Sequence, residues 1–62
     1  MLRLKKEIYD KFGSQRKLSA ATGIHETSIS NIICGILDPS EENKELLEKA
    51  LGLSWEELMK EI

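Results

Sequence analysis

Two stretches with helical periodicity, residues 15–22 and 26–34, are separated only by Gly23, Ile24 and His25, and this interval constrains the fold more than any other feature of the chain. Ser14 is a good N-cap for the first stretch, because its side-chain oxygen can accept from an early backbone N–H that has no partner inside the helix. Leu18 and Ala21 supply its apolar side, and Gly23 can take the left-handed conformation that ends a helix. Ile24 restarts the apolar pattern. Ile29, Ile32 and Ile33 then fall three and four residues apart on one face of the second stretch, which Gly35 closes. Two helices joined by so short a link must cross steeply, so the first braces the second and leaves the opposite face of the second free.

The rest of the chain reads as three more short helices. Leu4, Ile8 and Phe12 recur at four-residue spacing and define a helix over residues 2–12, stopped by Gly13. In Leu37-Asp38-Pro39-Ser40 the proline blocks any continuation, and Ser40 caps a helix over 41–51 whose core face is Leu46, Leu47, Ala50 and Leu51. Gly52 ends it. Ser54-Trp55-Glu56-Glu57 has the form of a capping box and opens a last helix over 55–61, with Trp55, Leu58, Met59 and Ile62 at i, i+3, i+4 and i+7. On this reading the chain ends within a helix. Nothing in it suggests a repeat, a linker or a sheet, and the expectation is one all-α domain of five helices over residues 1–62.

Size and composition narrow the functional classes. A domain of 62 residues buries only about 60% of its unfolded surface, which leaves room for one core and none for a deep catalytic cavity. One His, one Cys and no cofactor-binding loop leave no catalytic constellation, so neither an enzyme, a cofactor nor a metal site is expected. Cys34 cannot form an internal disulfide, which fits a reducing cytosol, and reads as a buried or half-buried filler. No apolar run approaches the roughly 18 residues of a membrane span, and the N-terminal segment has no signal-peptide core. The net charge of −2 conceals a polarity: residues 1–31 carry six Lys/Arg against three acids, whereas residues 32–62 carry three Lys against eight. Such a field turns the N-terminal half toward a polyanion, although solvated helix faces would give the same counts.

On the free face of the helix over 26–34, Glu26, Thr27 and Asn31 point the same way. All three can read a base edge: Asn pairs bidentately with adenine, Glu accepts from cytosine N4, and Thr offers a hydroxyl and a methyl. Thr27 and Ser28 can equally be read as solvated helix positions, and the acids of the last two helices as a solvated face. Trp55, with Met59 and Ile62, is either a lid on the core or half of a symmetric dimer contact.

Gln15, Leu18, Ser19, Gly23, Ile24, Ile29, Ser30, Ile32 and Gly35, followed by Pro39-Ser40 and by Leu47, Ala50, Leu51, Gly52, Leu53, Ser54, Glu57 and Leu58, form a pattern that resembles the phage-repressor and Cro type of helix-turn-helix, the XRE family. The match extends over nearly the whole chain. The resemblance implies a lambda-repressor-like bundle of five helices that binds operator DNA, usually as a dimer. It further implies that Gln15 touches a phosphate and bolsters the recognition helix, that Glu26, Thr27 and Asn31 read bases, and that His25 and Ser28 contact phosphates or base edges. Ser14, Arg16, Lys17 and Ser40 are further expected phosphate contacts, with Lys5 or Lys6 adding long-range attraction, and Trp55, Met59 and Ile62 a dimer surface.

Three positions depart from the family's habit. Ser19 stands where alanine is usual and is expected to bond to the preceding turn. His25 stands where the N-cap is more often Ser or Thr, and the segment after the recognition helix carries Asp38 and no Lys or Arg. The resulting expectation is a cytoplasmic, prokaryotic or phage-encoded regulator whose partners are double-stranded DNA and a second copy of the chain. The alternative is a protein-interaction module, antitoxin-like or regulator-binding, that keeps the scaffold.

Overall fold

A computed structural model describes residues 1–62 and contains five helices: α1 (Arg3–Lys11), α2 (Gln15–Thr22), α3 (Glu26–Ile33), α4 (Glu41–Leu51) and α5 (Trp55–Leu58). Capping explains most of the boundaries. Ser14, Ser40 and Ser54 each accept a hydrogen bond from the backbone N–H three residues on, at 3.2, 3.2 and 3.3 Å. Leu4, Ile8, Leu18, Ile24, Ile29, Ile32, Leu47, Leu51 and Leu58 form one core to which every helix and the α2–α3 turn contribute. Phe12, Ile33, Leu46, Ala50, Trp55 and Met59 pack half-buried around it.

The last helix is shorter than its periodicity predicts, ending at Leu58 where the pattern runs to 61. The cause lies at the other end of the chain. Leu2, in the N-cap position of α1, has no side-chain oxygen to offer. The carbonyl of Lys60 instead accepts from the Arg3 N–H at 2.9 Å, an isolated antiparallel bridge joins Leu2 to Glu61, and the Ile62 N–H donates to the Met1 carbonyl at 2.9 Å. Residues 60–62 lie outside the helix, where the Lys60 carbonyl meets the Arg3 N–H, a donor that α1 cannot satisfy itself. Ile62 is therefore not one turn beyond Met59 on a helical face, and it is 59% exposed.

Two smaller expectations are also corrected. Ala21 is exposed: the inward stripe of α2 is Gln15, Leu18, Ser19 and Thr22, at three- and four-residue spacing, and Ala21 lies off it. Cys34 is exposed as well, because α3 stops at Ile33 and the chain turns outward before Cys34 can reach the core.

Candidate nucleic-acid interface

The α2–α3 corner is built by hydroxyls. Gly23 has φ +80°, a conformation that costs a residue with a Cβ, and its N–H closes on the Ser19 carbonyl at 2.8 Å. Thr22 Oγ1 donates back to the Leu18 carbonyl at 2.9 Å and accepts from the Ile24 N–H at 3.2 Å. Ser19 Oγ donates to the Ile24 carbonyl at 2.5 Å, forward across the turn instead of back onto its own helix as the sequence suggests. Both backbone polar groups of Ile24 are thus satisfied, and its side chain can be buried without an orphaned donor or acceptor.

His25 caps α3. Its Nδ1 accepts from the Thr27 N–H at 3.2 Å, which requires the tautomer with the proton on Nε2, and Nε2 is the nitrogen left to donate outward. Glu26 occupies the first turn, where its charge suits the helix dipole. Gln15, at the start of α2, meets the N-terminal end of α3 across a shallow depression of about 330 Å³ lined by Gln15, His25, Glu26, Thr27, Ser30 and Asn31, none of them hydrophobic. Four of the expected DNA-facing positions on α3 and its cap, together with Gln15, are thereby brought to one place. Ser28 is half-buried and does not line it. Ser30 does, although in the sequence it figures only in the family pattern and not among the expected DNA contacts; its spacing of four from Glu26 and three from Thr27 was the available signal.

The serine and threonine hydroxyls set α3 apart from the other helices. Ser14, Ser40 and Ser54 cap helices, and Ser19 and Thr22 hold the corner. Among the serines and threonines, only Thr27, Ser28 and Ser30, all on α3, have hydroxyls with no hydrogen bond to the protein; the exposed phenol of Tyr9 on α1 is also unbonded, and no buried side-chain polar atom in the molecule is unsatisfied. The free hydroxyls therefore face water or whatever displaces it. Ser14 and Ser40 lend an oxygen lone pair to a helix but keep an O–H to donate.

The charges near this face are fewer than the counts suggest. Arg3, Lys6 and Lys11 are held by Glu57 and Glu7, by Asp10, and by Glu7 respectively, at 3.1, 3.6, 2.6 and 3.2 Å. Lys11 also donates to the Leu51 carbonyl at the end of α4. The hydrogen bond and charge of Asp10 raise the Lys6 pKa above its ordinary value, so Lys6 is charged but committed. In the N-terminal half, Lys5, Arg16 and Lys17 have no carboxylate partner, and Arg16 and Lys17 stand exposed on the first turn of α2. After α3 the Asn31 carbonyl accepts from the N–H groups of Ile36 and Leu37 at 2.9 and 3.2 Å, and this turn exposes both side chains next to Asp38. Trp55 and Met59 lie half-buried on the core and Ile62 lies outside α5, so the three do not make one helical face. No cluster of His, Cys, Asp or Glu is arranged to hold a metal ion, and no helix is long and apolar enough to cross a membrane.

A short brace helix, a glycine corner and a second helix with its hydrogen-bonding groups turned outward define a helix-turn-helix domain of the DNA-binding class. The family model described as Helix-turn-helix matches residues 13–58, and the chain belongs to that family, of the XRE, lambda-repressor-like type. The family is DNA-binding and regulatory, not enzymatic. Neither a curated protein nor a solved structure matches the chain.

Proposed function

We propose that this DNA-binding domain is a sequence-specific transcriptional regulator, a repressor that acts as a dimer on a two-fold operator with α3 in the major groove. The observation that carries the reading is the unbonded hydrogen-bonding capacity of α3: Thr27, Ser28 and Ser30 are the chain's only serine or threonine hydroxyls without a structural task. Glu26, Thr27 and Asn31 read base edges. Gln15, Arg16, Lys17, Ser14, His25, Ser28 and Ser40 engage phosphates, with the neutral ring of His25 donating through Nε2. Two protomers meet half-sites one helical turn apart, about 34–36 Å, and Trp55, Met59 and Ile62 are the first residues to test for self-contact.

Binding-site selection followed by titration at two salt concentrations tests this. Asn31→Ala should relax discrimination at one base pair at a cost of about 1–3 kcal/mol, while Lys17→Ala should weaken all duplexes alike and lower the salt slope by about one. Unchanged base preferences in Asn31→Ala would remove it from the reading set. The dimer is tested by solution mass with and without operator DNA.

One observation favours a second reading, a protein-interaction module. The α3–α4 segment, where a DNA-binding surface would gain from cations, presents Ile36 at 77% exposure and Leu37 at 41% beside Asp38. If random duplex shows no salt-dependent binding at micromolar protein, this second reading replaces the first.

A further inference from the structure

Ser30 lies within α3, where serine is a poorer helix former than alanine, and its hydroxyl makes none of the bonds that would explain it there. It does not bond back to the carbonyl one turn earlier, the usual resort of a serine inside a helix. Its side chain lines the polar depression beside Glu26, Thr27 and Asn31, four residues from Glu26 and so on the same helical side. Glu26, when ionised, can only accept hydrogen bonds, whereas a serine hydroxyl both donates and accepts. In the major groove an amino group of cytosine or adenine always has an acceptor beside it, the O6, O4 or N7 of the same base pair. An acceptor-only carboxylate matches the amine and leaves that neighbour unmatched.

We infer that Ser30 is a fourth specificity-determining residue of the recognition helix, donating to the base acceptor next to the amine that Glu26 accepts from, so that the two side chains read one base pair together. This inference rests on the base-reading role of α3 proposed above. It goes beyond that role in assigning Ser30 a hydroxyl-dependent part in discrimination.

The test compares the full chain with Ser30→Ala by binding-site selection, by competition titration against single-base variants of the selected site at several salt concentrations, and by thermal melting. The expected result is a loss of about tenfold in discrimination at a single base pair, the one also affected by Glu26→Gln, with the other positions and the salt slope unchanged. The melting temperature should be equal to or above that of the parent, since alanine is the better helix former and no internal bond is lost. Identical base preferences in Ser30→Ala would overturn the inference. So would uniform weakening with a smaller salt slope, which marks a phosphate contact, or a lower melting temperature, which marks a structural role. A parent chain with no sequence preference would overturn base reading by α3 as a whole, whereas a selective parent with an equally selective Ser30→Ala would overturn only the role of Ser30.

Discussion

Ser19 occupies a position that the family usually gives to alanine, and its hydroxyl bonds to the carbonyl of Ile24, a buried residue, across the corner of the motif. Sequence reasoning allowed the hydroxyl to be satisfied on its own helix, a neutral arrangement. The forward bond instead ties α2 to the first residue after Gly23. Ser19→Ala leaves the Ile24 carbonyl without its side-chain donor and should destabilise the domain by about 1 kcal/mol, lowering the melting temperature by about 4–8 °C for a domain of this size. Thermal melting of the variant measures this, and an unchanged midpoint would mean that water replaces the serine. His25 shows the same dependence on context. Its sequence position suggested a weak cap, and the cap it forms depends on which ring nitrogen faces the Thr27 N–H.

At the scale of the element, the helices announced themselves where a local device defines them. Ser14, Ser40 and Ser54 mark starts and Gly23 and Gly52 mark stops in both the sequence and the structure. Gly23 sits at φ +80° with nothing within 4 Å of where a Cβ would lie, so Gly23→Ala meets conformational strain and no clash. It should cost about 1 kcal/mol in chemical denaturation, with Gly23→Asn less damaging because asparagine tolerates the left-handed region better. Equal stability of the alanine variant would show that the corner relaxes out of that conformation. The end of α5 was not legible in this way. Its apolar spacing continues to Ile62, but a periodic pattern says nothing about a competing donor elsewhere. The Arg3 N–H draws the Lys60 carbonyl out of the helix. Glu57 likewise satisfies only half of the expected capping box: its N–H donates to Ser54, while its carboxylate reaches Arg3 and Lys60. The carboxylate of Glu48 takes up the Trp55 N–H at 2.6 Å.

Across the whole molecule, charge pairing decides which cations remain for a polyanion and how the chain's two ends close on each other. Glu57 joins them, accepting from Arg3 of α1 at 3.1 Å and from Lys60 at 2.8 Å. The Lys60 hydrogen bond and charge, and then Arg3, hold its carboxyl below the ordinary value of 4.5. A carboxyl depressed in the folded state contributes stability above its unfolded value, and loses it as pH falls through the folded one. The melting temperature of Glu57→Gln should therefore lie below that of the parent at pH 7 by a small margin, since the group is exposed, and the two should converge as pH drops below 4.5. A difference that persists at low pH would point to lost packing in place of lost charge.

The amino-acid sequence by itself determined the helical class, the corner at Gly23, the nine-residue core apart from its exact rim, and the family, because each is written in spacing, capping or glycine placement between near neighbours. The tertiary structure decided what depends on residues far apart in the chain. It set the early end of α5, the outward turn of Cys34, the commitment of Arg3, Lys6 and Lys11 to carboxylates, and the gathering of Gln15 with His25, Glu26, Thr27, Ser30 and Asn31 around one depression. Backbone donors and charged side chains take the best partner that the fold brings within reach, and the order of residues along the chain does not specify which partner that is.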